Sequence, residues 1–244
     1  NTITATMPVS ILKNNLLQVP VYIDSITVNA SIASVLTPLG IQVNFPPNCC
    51  ATAAGQPVTG KVLVEIMVIK KKGDMIRLNK PSTWNDSMLV TAGQIFIQLK
   101  KDGQILQLSP GVRINIQYVD LPINPQMKFF IGDEPNAQHF NWLPTPTPSL
   151  DTIIMGLQSY GIYTKQQRWI SLATLFDVNV TSPKIKVTAD IAPYFTNANT
   201  TAFTVFKDVR SVVGMKPDLT TRKFITGKLP VGKQITVVVI SKQA

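Results

Sequence analysis

The single histidine, His139, and the two adjacent cysteines, Cys49 and Cys50, are the residues from which nucleophile–base chemistry would have to be built. A Ser-His-Asp or Cys-His device needs an imidazole to take the nucleophile's proton, so any such site must contain His139. Its neighbours, Gln138-His139-Phe140-Asn141-Trp142, alternate like a strand or strand end before a proline-rich stretch, which favours a structural histidine over a catalytic base. The vicinal cysteines have neither metal-site nor disulfide-framework spacing, and a bridge between neighbours would strain the peptide. They read as two reduced thiols that pack as small hydrophobes. Calcium needs several oxygen ligands, and the compact acidic stretch Gly132-Asp133-Glu134-Pro135-Asn136 is a weak candidate through Asp133, Glu134 and Asn136, otherwise a plain acidic turn. The acids sit mostly in turns without an evident catalytic pair, and the glycines are isolated turn positions rather than a phosphate-cradling loop. No catalytic residue and no cofactor is expected.

Binding needs less chemistry. Trp84 lies in the polar segment Lys80-Pro81-Ser82-Thr83-Trp84-Asn85-Asp86-Ser87, a loop by composition, where a tryptophan is either loop packing or a ligand contact. Trp142, beside the proline-rich stretch, is expected to pack between lobes. Lys and Arg total 23 against 13 Asp and Glu, a net charge of +10 that would suit a polyanion or an anionic surface. The cations are scattered, however, and the densest run, Lys70-Lys71-Lys72, is followed by Gly73-Asp74 and reads as a hairpin end. Nucleic acid is therefore not expected as a partner, and many lysines read as edge protection for sheets.

The elements that must position these residues are strands. Of 244 residues 45% are apolar and 15% charged, ample for a core and low in charge for a soluble globule. No run of about 18 uninterrupted apolar residues is present. Lys61 to Ile69 is a long β-branched run that reads as a buried strand. Ile95–Lys100 and Gln104–Leu108 flank Asp102-Gly103, the dipeptide that most strongly signals a hairpin. Val112–Tyr118, Trp169–Leu172, Lys184–Ala189, Thr201–Phe206 and Gln234–Ile240 add further strands. Leu143-Pro144-Thr145-Pro146-Thr147-Pro148 is the clearest boundary, since alternating prolines favour an extended spacer. After it, Ser149 could cap a short helix, weakened by Gly156 and Gly161, so 149–163 is expected to be helical or irregular. The fold class expected is all-β: two β-sandwich-like lobes, residues 1–143 and 168–244, joined by a Pro-rich linker and a short helical or irregular segment, 144–167.

Two stretches carry a family resemblance. Gly40-Ile41-Gln42-Val43-Asn44-Phe45-Pro46-Pro47-Asn48, with Ala54–Val62 and Val90–Ile97 downstream, resembles the ZU5-like β-sandwich module of uncharacterised surface lipoproteins in certain Gram-negative bacteria. The likeness covers roughly residues 25–118, and the stretch from Arg168 to Lys233 is similar to the second β-domain of those proteins. Cys49-Cys50 departs from the family pattern, which has a small residue before an aromatic or aliphatic one. The resemblance implies export to the cell surface or the periplasmic face of the outer membrane, with a lipid anchor on a cysteine upstream of Asn1. Some ZU5-containing proteins cleave themselves at His-Phe-Ser; here the triplet is His139-Phe140-Asn141, without the hydroxyl nucleophile. Three Asp-Ser/Thr-apolar triplets resemble the O-glycan acceptor of the same bacterial group and name Ser25, Ser87 and Thr152 as acceptors. The functional expectation is a non-catalytic surface or periplasmic module whose partner is an unknown surface glycan or protein. A carbohydrate- or polyanion-binding module and a hydrolase with an unrecognised site are the alternatives.

Overall fold

Alternating apolar side chains commit most of the chain to strands, and the computed structural model shows how those strands pair. It describes residues 20–136, 139–176, 183–192, 199–218 and 220–241, with the side chains at 135, 136 and 139 excepted. The first lobe contains β1 (Tyr22–Val28), β2 (Ala33–Leu36), β3 (Gln42–Phe45), β4 (Cys50–Ala51), β5 (Pro57–Val58), β6 (Gly60–Ile69), the helix α1 (Lys72–Arg77), β7 (Thr83–Trp84) and β8 (Ser87–Lys101). It continues through β9 (Gln104–Ile105), β10 (Gln107–Leu108), β11 (Ile114–Val119), β12 (Lys128–Asn136), β13 (His139–Pro144), β14 (Thr152–Met155), β15 (Ser159–Thr164) and β16 (Trp169–Leu175). One sheet runs β1-β6-β8-β16-β12-β13, with β7 and β9 attached to β8; the facing sheet runs β14-β15-β11-β3-β2. Their inward residues, among them Val64, Ile97 and Ile170 from the first and Val43, Ile116 and Ile162 from the second, form one core cluster.

The second lobe holds β17 (Lys184–Ile185), β18 (Thr188–Asp190), β19 (Thr200–Phe206), β20 (Val212–Asp218), β21 (Lys223–Ile225), β22 (Leu229–Pro230) and β23 (Ile235–Ser241). It consists of a five-stranded sheet, β18-β21-β20-β19-β23, and a short β17-β22 ladder. The all-β class follows from the sequence pattern, and the Asp102-Gly103 hairpin is present, both residues at positive φ (49° and 77°) with Lys101 paired to Gln104.

Several placements differ from the sequence expectation. Residues 149–163 are not helical; they supply β14 and β15, and Ile153 and Ile162 of this pair sit opposite each other. The proline-rich stretch is a corner within the first lobe rather than a spacer between lobes, because it carries the chain from β13 in one sheet to β14 in the other. The Trp169 strand, expected to open the second lobe, is β16 and fills the middle of the first sheet between β8 and β12. Lys70-Lys71-Lys72 does not end a hairpin: α1 starts at Lys72, carries Asp74 in its first turn, and buries Met75.

The lobes are held together by the β19–β20 connection. The Lys72 ammonium donates to the carbonyl oxygens of Phe206, Lys207 (2.9 Å) and Val209 (3.3 Å). Arg210 donates to the Ala92 carbonyl and pairs with Asp120 at 3.0 Å. Ser82 donates its N–H to the Val212 carbonyl at 2.7 Å, and its hydroxyl accepts the Val212 N–H at 2.9 Å. Trp142, fully buried, donates Nε1 to the Pro81 carbonyl at 2.9 Å and shares a cluster with Trp169 from the first lobe and Phe203 and Val212 from the second. It packs between the lobes, as expected, although the proline-rich stretch beside it does not join them.

Cys49 and Cys50 are free, buried thiols whose sulfurs face each other at 3.4 Å. The contact with Cys49, reinforced by burial, pushes the Cys50 thiol well above its ordinary range. The same contact lowers the Cys49 thiol, so burial rather than protonation shields the pair: Cys49 is 1% and Cys50 0% exposed, and a disulfide-exchange reagent should titrate no thiol in the native protein and two after denaturation. Rapid native reaction of either one would contradict the placement.

Candidate functional site

The hairpin that joins β7 to β8 turns through Asn85 and Asp86, both at positive φ (45° and 65°), as a two-residue connection between right-twisted strands requires. Asn141 fixes its tip: the Asn85 N–H donates to Asn141 Oδ1 at 3.2 Å, and Asn141 Nδ2 donates to Asn85 Oδ1 at 3.0 Å. The tip points at the second lobe. There Asp86 pairs with Lys216 of β20 at 2.6 Å, and Gly227 packs so tightly that a Cβ would lie 2.9 Å from the Asp86 carbonyl oxygen. Only a residue without a side chain fits that approach.

Gly227 belongs to a bulge. Ile185 is opposite Leu229 in the β17–β22 ladder, whereas Thr188 is opposite Ile225 in the β18–β21 ladder, and Val187 and Thr226 exchange hydrogen bonds of 2.9 and 3.0 Å between them. One extra residue therefore sits on the 225–229 strand, and Gly227 and Lys228 together face Lys186. Bulges of this kind bend a strand and re-aim its side chains.

Hairpin tip and bulge wall an open groove of about 730 Å³ whose lining includes Lys184, Lys186, Lys216 and Lys228, with Asp86 and Asp218 as its acids. Both acids are already engaged. Asp86 holds Lys216. Asp218 accepts the backbone N–H groups of Thr220 (3.0 Å) and Thr221 (3.3 Å), and hydrogen bonding from the Thr221 side chain and these N–H groups keeps its carboxyl below the ordinary range. Ser87 contributes an exposed hydroxyl. A smaller cavity of about 160 Å³ adjoins the groove, sharing Asp86, Lys216, Pro217 and Gly227 with it and reaching back to Phe140 and Met215.

The residues singled out from sequence are scattered rather than gathered. Trp84 is on β7, not in a loop, half-buried with its ring edge-on to Phe130 at 6.0 Å, and it is not among the groove's lining residues. Its place is packing. Asp133 and Glu134 are consecutive on β12, where its ladder with β13 shifts register, and Glu134 is already ion-paired with Lys80. That geometry does not build a calcium site from Asp133 and Glu134; the Asn136 side chain is outside the described residues, as is that of His139. Among the described residues no three His, Cys, Asp or Glu side chains cluster as a metal would require. Of the three glycan triplets, Ser25 is half-buried on β1, Thr152 half-buried on β14, and Ser87 exposed at the groove. Sequence reading missed the groove itself, since its four lysines are spread over 45 positions in two lobe-defining segments, 184–186 and 216–228. The one advance signal was the polar segment 80–87 with its Asp86-Ser87 pair.

No protein-family profile matches the chain, and no curated protein matches its sequence.

Proposed function

We propose that the protein is a non-catalytic binding module of an exported protein, displayed at the cell surface or on the periplasmic face of the outer membrane and carried by a lipid anchor upstream of Asn1. The ZU5-like turn and strand motifs support the setting. The observation that carries the binding role is the groove between hairpin tip and bulge: an open volume of a size that takes a small ligand, walled by backbone fixed on both sides. Its lining holds lysines, hydroxyls and two engaged carboxylates, a set that recognises rather than transforms. A surface glycan or surface protein is the partner class.

The test is made on the full-length protein in its own host. A tagged copy is expected in the membrane fraction and to be degraded when intact cells, or cells with a permeabilised outer membrane, are treated with protease. Recovery in the soluble cytosol would overturn the reading.

A further inference from the structure

We infer that the groove is an anion site whose ligand is an acidic polysaccharide bearing carboxylate or sulfate groups, bound by Lys184, Lys186 and Lys228. The inference rests on the reading of the chain as a binding module. Lys184 and Lys186 are two apart on one extended segment and so share a face. The bulge then brings Lys228 across from Lys186, which sets like charges opposite each other in a sheet, an arrangement that destabilises unless something neutralises it. The groove supplies that neutralisation only in part. Of its described carboxylates, Asp86 is paired with Lys216, and Asp218 keeps its charge but is held by the Thr220 and Thr221 N–H groups; among the described residues Lys184, Lys186 and Lys228 form no ion pair. Four lysines against two carboxylates thus leave an excess of positive charge around one open volume for an external anion.

The shape and lining select the polymer. At about 730 Å³ the groove exceeds what a single inorganic anion needs. Beside the ammonium groups it offers the Ser87 hydroxyl, suited to sugar hydroxyls, and the Pro217 and Ile225 side chains, suited to the apolar face of a pyranose. Nucleic acid fits less well. Single strands are held by stacking bases on aromatic rings, and among the described residues the groove's lining has no Phe, Tyr or Trp. Its cations are all lysines, point charges rather than the planar forks that grip phosphates bidentately.

The test is a binding titration of labelled polygalacturonate and labelled dextran sulfate, with uncharged dextran and single-stranded DNA as comparisons, at salt from about 50 to about 300 mM. The variant Lys184→Gln/Lys186→Gln/Lys228→Gln is compared with Lys61→Gln/Lys71→Gln/Lys128→Gln, which removes the same charge from exposed positions elsewhere. Binding of at least one acidic polymer that weakens with salt, and that falls about tenfold or more in the groove variant but not in the control, is the expected result. Stronger binding of polygalacturonate than of dextran sulfate would assign the carboxylate, and the reverse the sulfate. Equal loss in both variants would mean bulk charge alone and overturn the site, as would no binding of either acidic polymer. DNA binding as tight as that of the best acidic polymer, with the same groove dependence, would overturn the ligand class. Dextran binding that ignores the lysines would overturn the anion inference and leave the binding module standing, whereas new reducing ends in any polymer would sink the binding-module reading itself.

Discussion

Gly93→Ala is expected to destabilise the protein by about 3 kcal/mol or more, through overpacking in a core that has no slack. A Cβ at this position would lie 1.7 Å from Tyr118 Oη and 2.7 Å from Tyr118 Cζ. Tyr118 cannot swing away. It is 1% exposed, and its hydroxyl donates to the Ala92 carbonyl at 3.0 Å across the two sheets. The backbone at Gly93 cannot retreat either, because it sits beside a bulge where Leu172 pairs with Gly93 but Ala173 pairs with Thr91, and the Thr91 hydroxyl bridges its N–H and carbonyl at 2.9 Å each. Denaturant unfolding of the variant should show a clearly lower midpoint. The double variant Gly93→Ala/Tyr118→Leu should lose less than the sum of its two single variants, since the smaller side chain vacates the space the new methyl needs. A Gly93→Ala protein as stable as the parent would show that the sheets are not packed as described.

Asp151→Ala should cost about 3 kcal/mol at neutral pH, the scale of losing a buried charged acceptor while its donors stay behind. The carboxylate is 3% exposed and accepts from Thr145 Oγ1 (2.5 Å), Thr164 Oγ1 (2.6 Å) and Gln166 Nε2 (3.1 Å). Burial by itself would raise its pKa, but the hydrogen bonds from Thr145, Thr164, Gln166 and the Lys165 backbone together outweigh burial and hold the group below its ordinary value. The sign follows from the lowered pKa. Folding favours the ionised form, so this contribution is complete above the unfolded-state pKa of about 3.9 and is lost as pH falls through the lower folded-state value. The stability gap between parent and variant should therefore be widest above about pH 5 and narrow under acid. A gap that stays constant from neutral to strongly acidic pH would show that Asp151 is not the organiser of this corner.

Asp151 also shows where sequence reading stops. Ser149 and Asp151 look like the start of a capped helix, and nothing local reveals that Asp151 turns inward to gather three threonines and a glutamine from the corner and from the end of β15 and just beyond it. Strands with strong alternation, such as β6 and β11, were legible because one face of each is buried and the pattern records it, whereas β8 and β19, buried along most of their length, were legible as apolar runs. Partner choice was not. The run at Trp169 reads as a strand in any position, and only its pairing with Phe96 on one side and Phe130–Ile131 on the other places it in the first lobe. The Pro-rich stretch reads as a spacer because proline excludes ladder pairing, a property equally true of a tight corner. The groove was illegible for a further reason: its lysines meet through a one-residue bulge between ladders of only two and three residue pairs, too short for a break in alternation to be read.

The central place of β16 has a bearing on how the chain is made. Synthesis delivers β8 and β12 long before residue 175, and until then each lacks the neighbour that β16 will provide. The nascent chain holds two half-sheets with open inner borders, which only the late arrival of Trp169–Leu175 can join. Such closure depends on contacts between residues far apart in order of synthesis, the kind of topology that folds slowly. The first lobe is thus completed only after most of the chain has been released, with its keystone strand the last piece to be set.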